Sequence, residues 1–189
     1  QYATDLEKAK QLLAEAGYPD GGFKLTLTYT SENPIEQRFC PLIRESFAEL
    51  GVDVTVQPLL WNQQWDKAKG TANKRQDMFV LLWWPSYPDG YDNLHPMFTT
   101  EKSPSWNLGY WYSEKYDSTL DEAHKLSSTD VAASQELYTE GMTMLVDEAP
   151  AAYLFDALGV TAKLKTVQLS DTAINPNYPQ VLFWTQVTR

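Results

Sequence analysis

The chain has 189 residues, 43% of them apolar and 21% charged, and a formal net charge of −10, which fits one folded domain with a sizeable core. The acidic balance argues against nucleic acid as a partner, because a phosphate backbone needs clustered Lys and Arg, and no run of about 18 apolar residues spans a membrane. One cysteine, Cys40, and two histidines, His95 and His124, exclude an intrachain disulfide and a Cys-based metal cage, and leave a catalytic triad without ready parts. No metal and no cofactor is expected. The opening residues Gln1 to Asp5 are neither an initiator Met nor a signal peptide, and they read as the start of a piece of a longer chain.

Thr4 to Ala16 carries the spacing of an amphipathic helix, with Thr4 and Glu7 as a capping box and Leu6, Ala9, Leu13 and Ala16 on one face. Gly17 ends it and Pro19 prevents its resumption. Phe23 to Thr30 alternates apolar and polar residues and predicts a strand. Asn33 and Pro34 open a second helix as N-cap and first residue, with Ile35, Phe39, Leu42, Ile43, Phe47 and Leu50 as its stripe and Gly51 as its stop. Cys40 reads as a small apolar residue on that helix. Pro41, inside it, predicts a kink or a delayed start. Val52 to Gln57 alternates again, so the order predicts a βαβ unit with parallel strands.

A short helix over Asn62 to Lys69 carries Trp65 and Ala68, with Trp61 and Trp65 placed to share a face in core packing. Met78 to Trp84 is an unbroken apolar run, the pattern of a strand covered on both faces. It breaks into Pro85 to Asp92, with a short helix expected near Asp92 to Phe98, and the aromatic run Trp106 to Tyr112 follows. Four of the seven tryptophans lie between Asp77 and Tyr112. A strand that ends in a Pro/Gly-rich, aromatic-lined loop is where open α/β sheets bind ligands.

Ser113 predicts a cap for a helix over Glu114 to Leu126 with Tyr116, Leu120 and Ala123 inward. Thr129 or Asp130 caps another, running to about Glu148, with Val131, Leu137, Tyr138, Leu145 and Val146 as its stripe. Gly141 inside it costs about 1 kcal/mol relative to Ala and so marks a close packing contact. Ala151 to Phe155 and Gly159 to Val167 predict short strands, and a last apolar run covers Val181 to Trp184.

Four segments carry a resemblance. Asp5 to Gly21 is similar to a D-x-x-K-A-K-x-L-L-x-E-A-G-Y-P-D-G helix and turn. Leu50 to Val54 is similar to an L-x-x-x-G-I-x-V junction, Trp83 to Asp92 to a W-x-x-D-Y-P-D-P loop, and Tyr112 to Ala123 to a Y-x-N-P-E-x-D-x-L-x-D-E-A helix. In this order they resemble the C-terminal lobe of the family 5 extracellular solute-binding proteins, the binding components of peptide, nickel and sugar ABC importers. The resemblance implies an α/β fold: a mixed sheet with helices on both faces, forming one lobe of a two-lobed periplasmic-binding-protein-like molecule. Residues 1–189 would be that lobe, with 151–189 returning toward an N-terminal lobe outside this chain. It further implies capture of a small solute in the cleft between lobes, handover to an ABC permease in the membrane, and an extracytoplasmic location, in the periplasm or lipid-anchored on the cell surface. One lobe supplies half of such a site, so the chain alone is expected to bind weakly.

The candidate ligand-binding residues are Trp83, Trp84, Ser86, Tyr87, Asp89, Tyr91, Asp92, Trp106, Asn107 and Trp111; none is read as catalytic. In the family's peptide-binding members an acidic residue three positions after the loop Trp holds the peptide's amino terminus. Here that position is Ser86, which supplies no charge-assisted bond to an ammonium, and Gly90 stands where the pattern has Pro. The solute is therefore an oligopeptide or, with this departure and the aromatic content, an oligosaccharide. A carbohydrate-active enzyme with Asp89 and Asp92 as its carboxylate pair and a protein-interaction module with the aromatic loop as its patch are the readings from other classes. Loop-turn and helix-cap roles explain the two aspartates more simply. His95 reads as a packing or hydrogen-bonding residue and His124 as exposed.

Overall fold

The computed structural model describes residues 3–87, 89–156, 160, 162–175 and 181–188. The chain divides into two compact units, Gln1–Leu82 and Trp83–Arg189, where the sequence reads as one lobe. No helix among the described residues is long and apolar enough to cross a membrane.

In the first unit, helix α1 covers Leu6–Glu15. Its cap is Asp5, not Thr4: the extended backbone at Asp5 aims its carboxylate at the Lys8 N–H, 2.9 Å away. The helix ends with Gly17 N–H on Ala14 O and Tyr18 N–H on Leu13 O, at 3.0 and 2.7 Å, a Schellman motif that requires the left-handed φ of +91° at Gly17. Strand β1, Lys24–Thr30, and strand β2, Asp53–Leu59, pair in parallel with Lys24 opposite Asp53. Helix α2, Pro34–Ala48, joins them, completing the expected βαβ unit. It starts at Pro34, so Pro41 does not delay it.

The phase of α2 differs from the predicted stripe. Ile35 and Leu42 are exposed, while Glu36 and Cys40 are buried. The reason lies at the cap. Asn33 accepts from Ile35 N–H and Glu36 N–H, and its amide donates to Glu36 Oε1 at 2.8 Å. Glu36 Oε2 takes the Thr30 N–H at 2.7 Å, which turns that carboxylate inward and Ile35 outward. Burial pushes the Glu36 pKa up, against the lowering by its donors from Thr30 and Asn33. Burial also pushes the Cys40 thiol up to about 11, so it packs as a small apolar group.

Helix α3, Trp61–Ala68, precedes strand β3, Met78–Phe79, and the sheet order is β2-β1-β3 with both pairings parallel. The two faces differ in chemistry, following the period of two along a strand. Leu25, Leu27, Val54 and Met78 meet Phe39, Ile43 and Phe47 of α2 in one apolar core. On the other face Lys67 of α3 donates to Gln57 at 3.1 Å, and Trp65 packs its ring edge-to-face with Phe79 at 6.2 Å. Helices thus cover both faces. Trp61 stacks on Trp65 at 4.8 Å, sharing a helix face as expected, but Trp61 is 40% exposed, so the pair does not form the expected core packing.

The predicted strand over Met78 to Trp84 is far shorter. Val80 N–H still reaches Thr28 O at 3.0 Å, but Val80 O accepts from the buried Gln64 side chain at 3.1 Å. A helix side chain there takes the position of a ladder partner, and the chain passes into the second unit at Trp83.

The second unit contains helices α4 (Gly90–Phe98), α5 (Glu114–Leu126) and α6 (Val131–Glu148). Ser113 caps α5 through the Tyr116 N–H at 3.3 Å, and Asp130 caps α6 through the Ala133 N–H at 3.1 Å. Tyr116, Leu120, Ala123, Tyr138, Met144 and Leu145 form their core. Val131 and Val146 of the expected α6 stripe are exposed, because Ser134, Tyr138 and Gly141 set the buried face. A Cβ at Gly141 would lie 2.7 Å from Leu120 Cδ2, which is the close contact expected of it. The strands predicted from Ala151 and Gly159 are replaced by an antiparallel pair, β4 (Gln168–Leu169) with β5 (Val187–Thr188), and by an isolated bridge between Ile174 and Leu182. No strand forms over 151–156 or 162–167, where Tyr153, Leu154, Phe155 and Leu164 are exposed. Residues 159 and 161 of the second prediction lie outside the described residues.

The turns after α1 and α2 meet backbone to backbone. A Cβ on Gly51 would sit 2.4 Å from Asp20 O, whereas one on Gly17 meets nothing within 4 Å; both residues have positive φ. Gly17→Ala is expected to lose about 1–2 kcal/mol from its backbone alone, and Gly51→Ala about 2–4 kcal/mol with the clash added. Urea unfolding of the two variants, followed by circular dichroism, checks the difference; equal losses would mean that the approach of the turns is not constraining.

Candidate functional site

The segment from Trp83 to Asp92 folds back on the first turn of α4. Asp89 is the N-cap of that helix, accepting from Tyr91 N–H at 2.7 Å. The Asp92 carboxylate accepts a short hydrogen bond from Ser86 N–H, and the Asp92 carbonyl accepts from Trp83 Nε1–H at 3.2 Å. Trp83 is half-buried, while Trp84 is 43% exposed. Ser86 and Tyr87 are exposed. Gly90 faces the Tyr138 ring, where a Cβ would lie 2.9 Å from Cδ2, so a proline here, as in the resembling loop, would collide with that ring. The buried Tyr138 hydroxyl lies beside Ser134, whose Oγ donates to Ala123 O at 2.7 Å. Burial, then the nearby Asp89, pushes this phenol up to about 12.

The second aromatic run is stapled by Asn107. Its amide donates to Thr99 O and Trp111 O, each at 2.9 Å, and the residue is 3% exposed. Both amide hydrogens are engaged, so Asn107 positions the loop and offers no donor to a ligand. Trp111 packs edge-to-face with Tyr116 at 5.1 Å and joins the helical core. Trp106 packs edge-to-face with Trp83 at 5.4 Å and stays 39% exposed. Tyr110 has a φ of +54°, a left-handed conformation that costs a side-chain-bearing residue about 1–2 kcal/mol, and its N–H reaches Asn107 O at 3.2 Å.

The structure thus joins Trp83, Ser86, Asp92 and Trp106 through direct contacts. Asp89 and Asp92 each accept from a backbone N–H of their own segment, the helix-cap and loop contacts that the simpler reading names. Tyr110 and Tyr112, both exposed, were not among the candidate residues. Their composition was visible in the aromatic run, but which of its rings the turn closed by Tyr110 N–H on Asn107 O leaves exposed was not. Tyr91 is stacked between His95, at 4.3 Å, and His124, at 4.0 Å. The spacing of four residues foreshadows the first contact, whereas the second crosses from α4 to α5. No group of three or more potential metal ligands occurs among the described residues.

His95 is held below its ordinary value of 6.5 by burial, against Asp121, Glu101 and Asp117, which favour its proton, and with His124, which disfavours it. The folded state therefore binds this proton less readily than the unfolded one. The contribution of His95 to stability is present above pH 6.5 and is lost as pH falls through its folded pKa. An NMR titration of the imidazole, alongside urea midpoints from about pH 8 to about pH 5, should show this loss, with the slope reduced in His95→Phe. Asn107→Ala leaves two carbonyls without their donor and should cost on the order of 1–3 kcal/mol, read as a shift in the urea midpoint followed by tryptophan fluorescence.

A family model described as bacterial extracellular solute-binding proteins, family 5 Middle, matches residues 1–105, more than half of the chain. The glutathione-binding protein GsiB of Pectobacterium atrosepticum is 29% identical over 165 residues, which cover 85% of this chain and 32% of that protein. The heme-binding protein A of Haemophilus influenzae is 29% identical over 153 residues, covering 79% and 27%. Among solved structures, the ABC transporter-associated periplasmic binding protein DppA from Helicobacter pylori, in complex with the peptide STSA, superimposes with a TM-score of 0.67 at 28% identity, over 79% of this chain and 28% of that one. The chain spans about a third or less of the length of the curated relatives it matches. It belongs to the bacterial extracellular solute-binding proteins of family 5, a family of substrate-binding proteins.

Proposed function

We propose that this chain forms part of the substrate-binding component of an ABC importer, and that it supplies one wall of a solute site whose other wall lies on an N-terminal lobe. The observation that carries this reading is the braced aromatic segment. Trp83 and Asn107 are locked by hydrogen bonds and leave Trp84, Trp106 and the adjacent tyrosines exposed, a preorganised surface that loses little entropy when a ligand arrives.

The segment after α6 supports the second part of the proposal. Tyr153, Leu154, Phe155, Phe183 and Trp184 are all exposed, an amount of apolar surface that a covering partner would explain. Its return toward the N-terminal lobe supplies that cover. The function is capture and not chemistry: Asp89 and Asp92 are engaged as a helix cap and a loop closure, so the paired carboxylates of a glycosidase are not set free. Ligand closes the lobes by a hinge, and the closed form docks on a membrane permease outside the cytoplasm, either from the periplasm or from a lipid anchor. The relatives named above bind glutathione, heme and a peptide by their descriptions, so family membership sets the role and leaves the solute open.

Half a site predicts an affinity for the isolated chain weaker than about 1 mM, whereas the full-length protein should bind its solute and contract. Isothermal titration of both forms, with small-angle scattering of the full-length protein, measures this. Micromolar binding by the isolated chain, or a full-length protein that binds without contracting, would count against the proposal.

A further inference from the structure

The face of the sheet turned toward α3 carries a buried polar layer. Gln57, Thr28 and Phe79 lie side by side across β2, β1 and β3. The outer two meet α3 through Lys67 and Trp65. Thr28, on the central strand between them, is 0% exposed, and so is Gln64 of α3, the helix that packs on β1. Gln76 lies in the connection that leads into β3. It is buried as well, and its amide donates to the Gln64 backbone carbonyl at 3.2 Å.

Three oxygens of this layer, Thr28 Oγ1, Gln64 Oε1 and Gln76 Oε1, make no hydrogen bond to a described residue. The two amide nitrogens are turned elsewhere: Gln64 Nε2 donates to Val80 O at 3.1 Å, and Gln76 Nε2 to Gln64 O. Amide oxygens only accept, and one hydroxyl supplies one hydrogen. Buried groups of this kind cost stability when left dry, and native interiors pair nearly all of them. The ligand that balances the set brings two hydrogens and takes one. Water does so, donating to the two glutamine oxygens and accepting from Thr28, three bonds in all, about the usual number for an internal water. A hard cation suits the layer less. Three neutral oxygens fall short of the about six that such an ion takes, and Asp77, the carboxylate next to Gln76, accepts from Thr26 N–H at 2.7 Å.

We propose that Thr28, Gln64 and Gln76 form a binding site for one internal water that bridges β1, α3 and the entry to β3. The water fixes Gln64 Oε1, and the nitrogen of the same amide holds Val80 O, where strand pairing stops ahead of the aromatic segment. Gln64 is thus a positioning residue whose own orientation is set by a bound solvent molecule. The site belongs to the first unit and does not depend on the identity of the solute.

The full-length protein tests this in two ways. A crystal structure that resolves ordered water should show one water within hydrogen-bond distance of Thr28 Oγ1 and of both glutamine oxygens, and it needs no variant. Thr28→Val keeps the shape of the side chain and removes its hydroxyl. With the water in place, this substitution takes away a bonding partner and shifts the urea midpoint down; in a dry layer it removes an unpaired buried hydroxyl and shifts the midpoint up. Thr28 and Gln76 share no direct hydrogen bond among the described residues, so the losses in Thr28→Val and Gln76→Met should be non-additive when combined, the coupling running through the water. Circular dichroism checks that each variant is folded. A dry layer, a water touching only one of the three side chains, or a direct bond from Thr28 to either glutamine would overturn the site. So would additive losses, or a midpoint that rises or stays unchanged in Thr28→Val.

Discussion

The first unit depends on the contact between two glycine turns. Gly21 and Gly51 each lack room for a Cβ because the other turn's backbone occupies it, and Gly22 N–H closes the contact on Gly51 O at 2.9 Å. The next bond along, Asp53 N–H to Phe23 O at 3.1 Å, begins the parallel ladder. Two helix-stop motifs thus become the start of a strand pair, and their meeting point sets Lys24 opposite Asp53. A slip of one residue would send Leu25 and Leu27 to the face where the threonines of β1 now lie. Register, core composition and the placement of α2 all follow from this contact.

A similar economy governs the aromatic segment of the second unit. Most of its polar groups bind the segment itself: Asp89 the helix start, Asp92 the Ser86 amide, Asn107 two carbonyls. Such internal bonds satisfy the segment's polar groups while Trp84, Trp106, Tyr110 and Tyr112 stay at its surface. Rigid aromatic faces on a polar scaffold favour recognition by shape and stacking over recognition by charge. The packing of Gly90 against Tyr138 connects this loop to α6, so the helical core and the surface are mechanically one piece within the unit.

Much of the fold was legible in the chain because it is written locally. Asn33, Ser113 and Asp130 cap their helices as read, Gly17 and Gly51 stop theirs, and Gly141 marks the close α5–α6 contact. Each of these depends on residues within a few positions of one another or, for Gly141, on the cost of a glycine inside a helix. The candidate site was legible as a region and less so as a list. Trp84 and Trp106 are displayed, but Asn107 and Trp111 face inward, and Tyr110 and Tyr112 take part in the exposed surface instead. Composition marks where aromatic residues gather; it does not say which way a stapled loop turns them.

By itself the sequence determined the helices and their ends, the βαβ order, the acidic and cysteine-poor character, and membership in a solute-binding family. These follow from backbone hydrogen bonds closed over three or four residues and from the order of motifs along the chain. Only the tertiary structure decided that the apolar run from Met78 stops pairing after Phe79, that Glu36 and not Ile35 faces the core, and that Asp89 and Asp92 serve the loop. Strand length depends on a partner, helix phase on which donors lie at the far end of another strand, and a carboxylate's role on which N–H reaches it first. None of these distances is encoded in local spacing; each arises when segments distant in the chain are brought together.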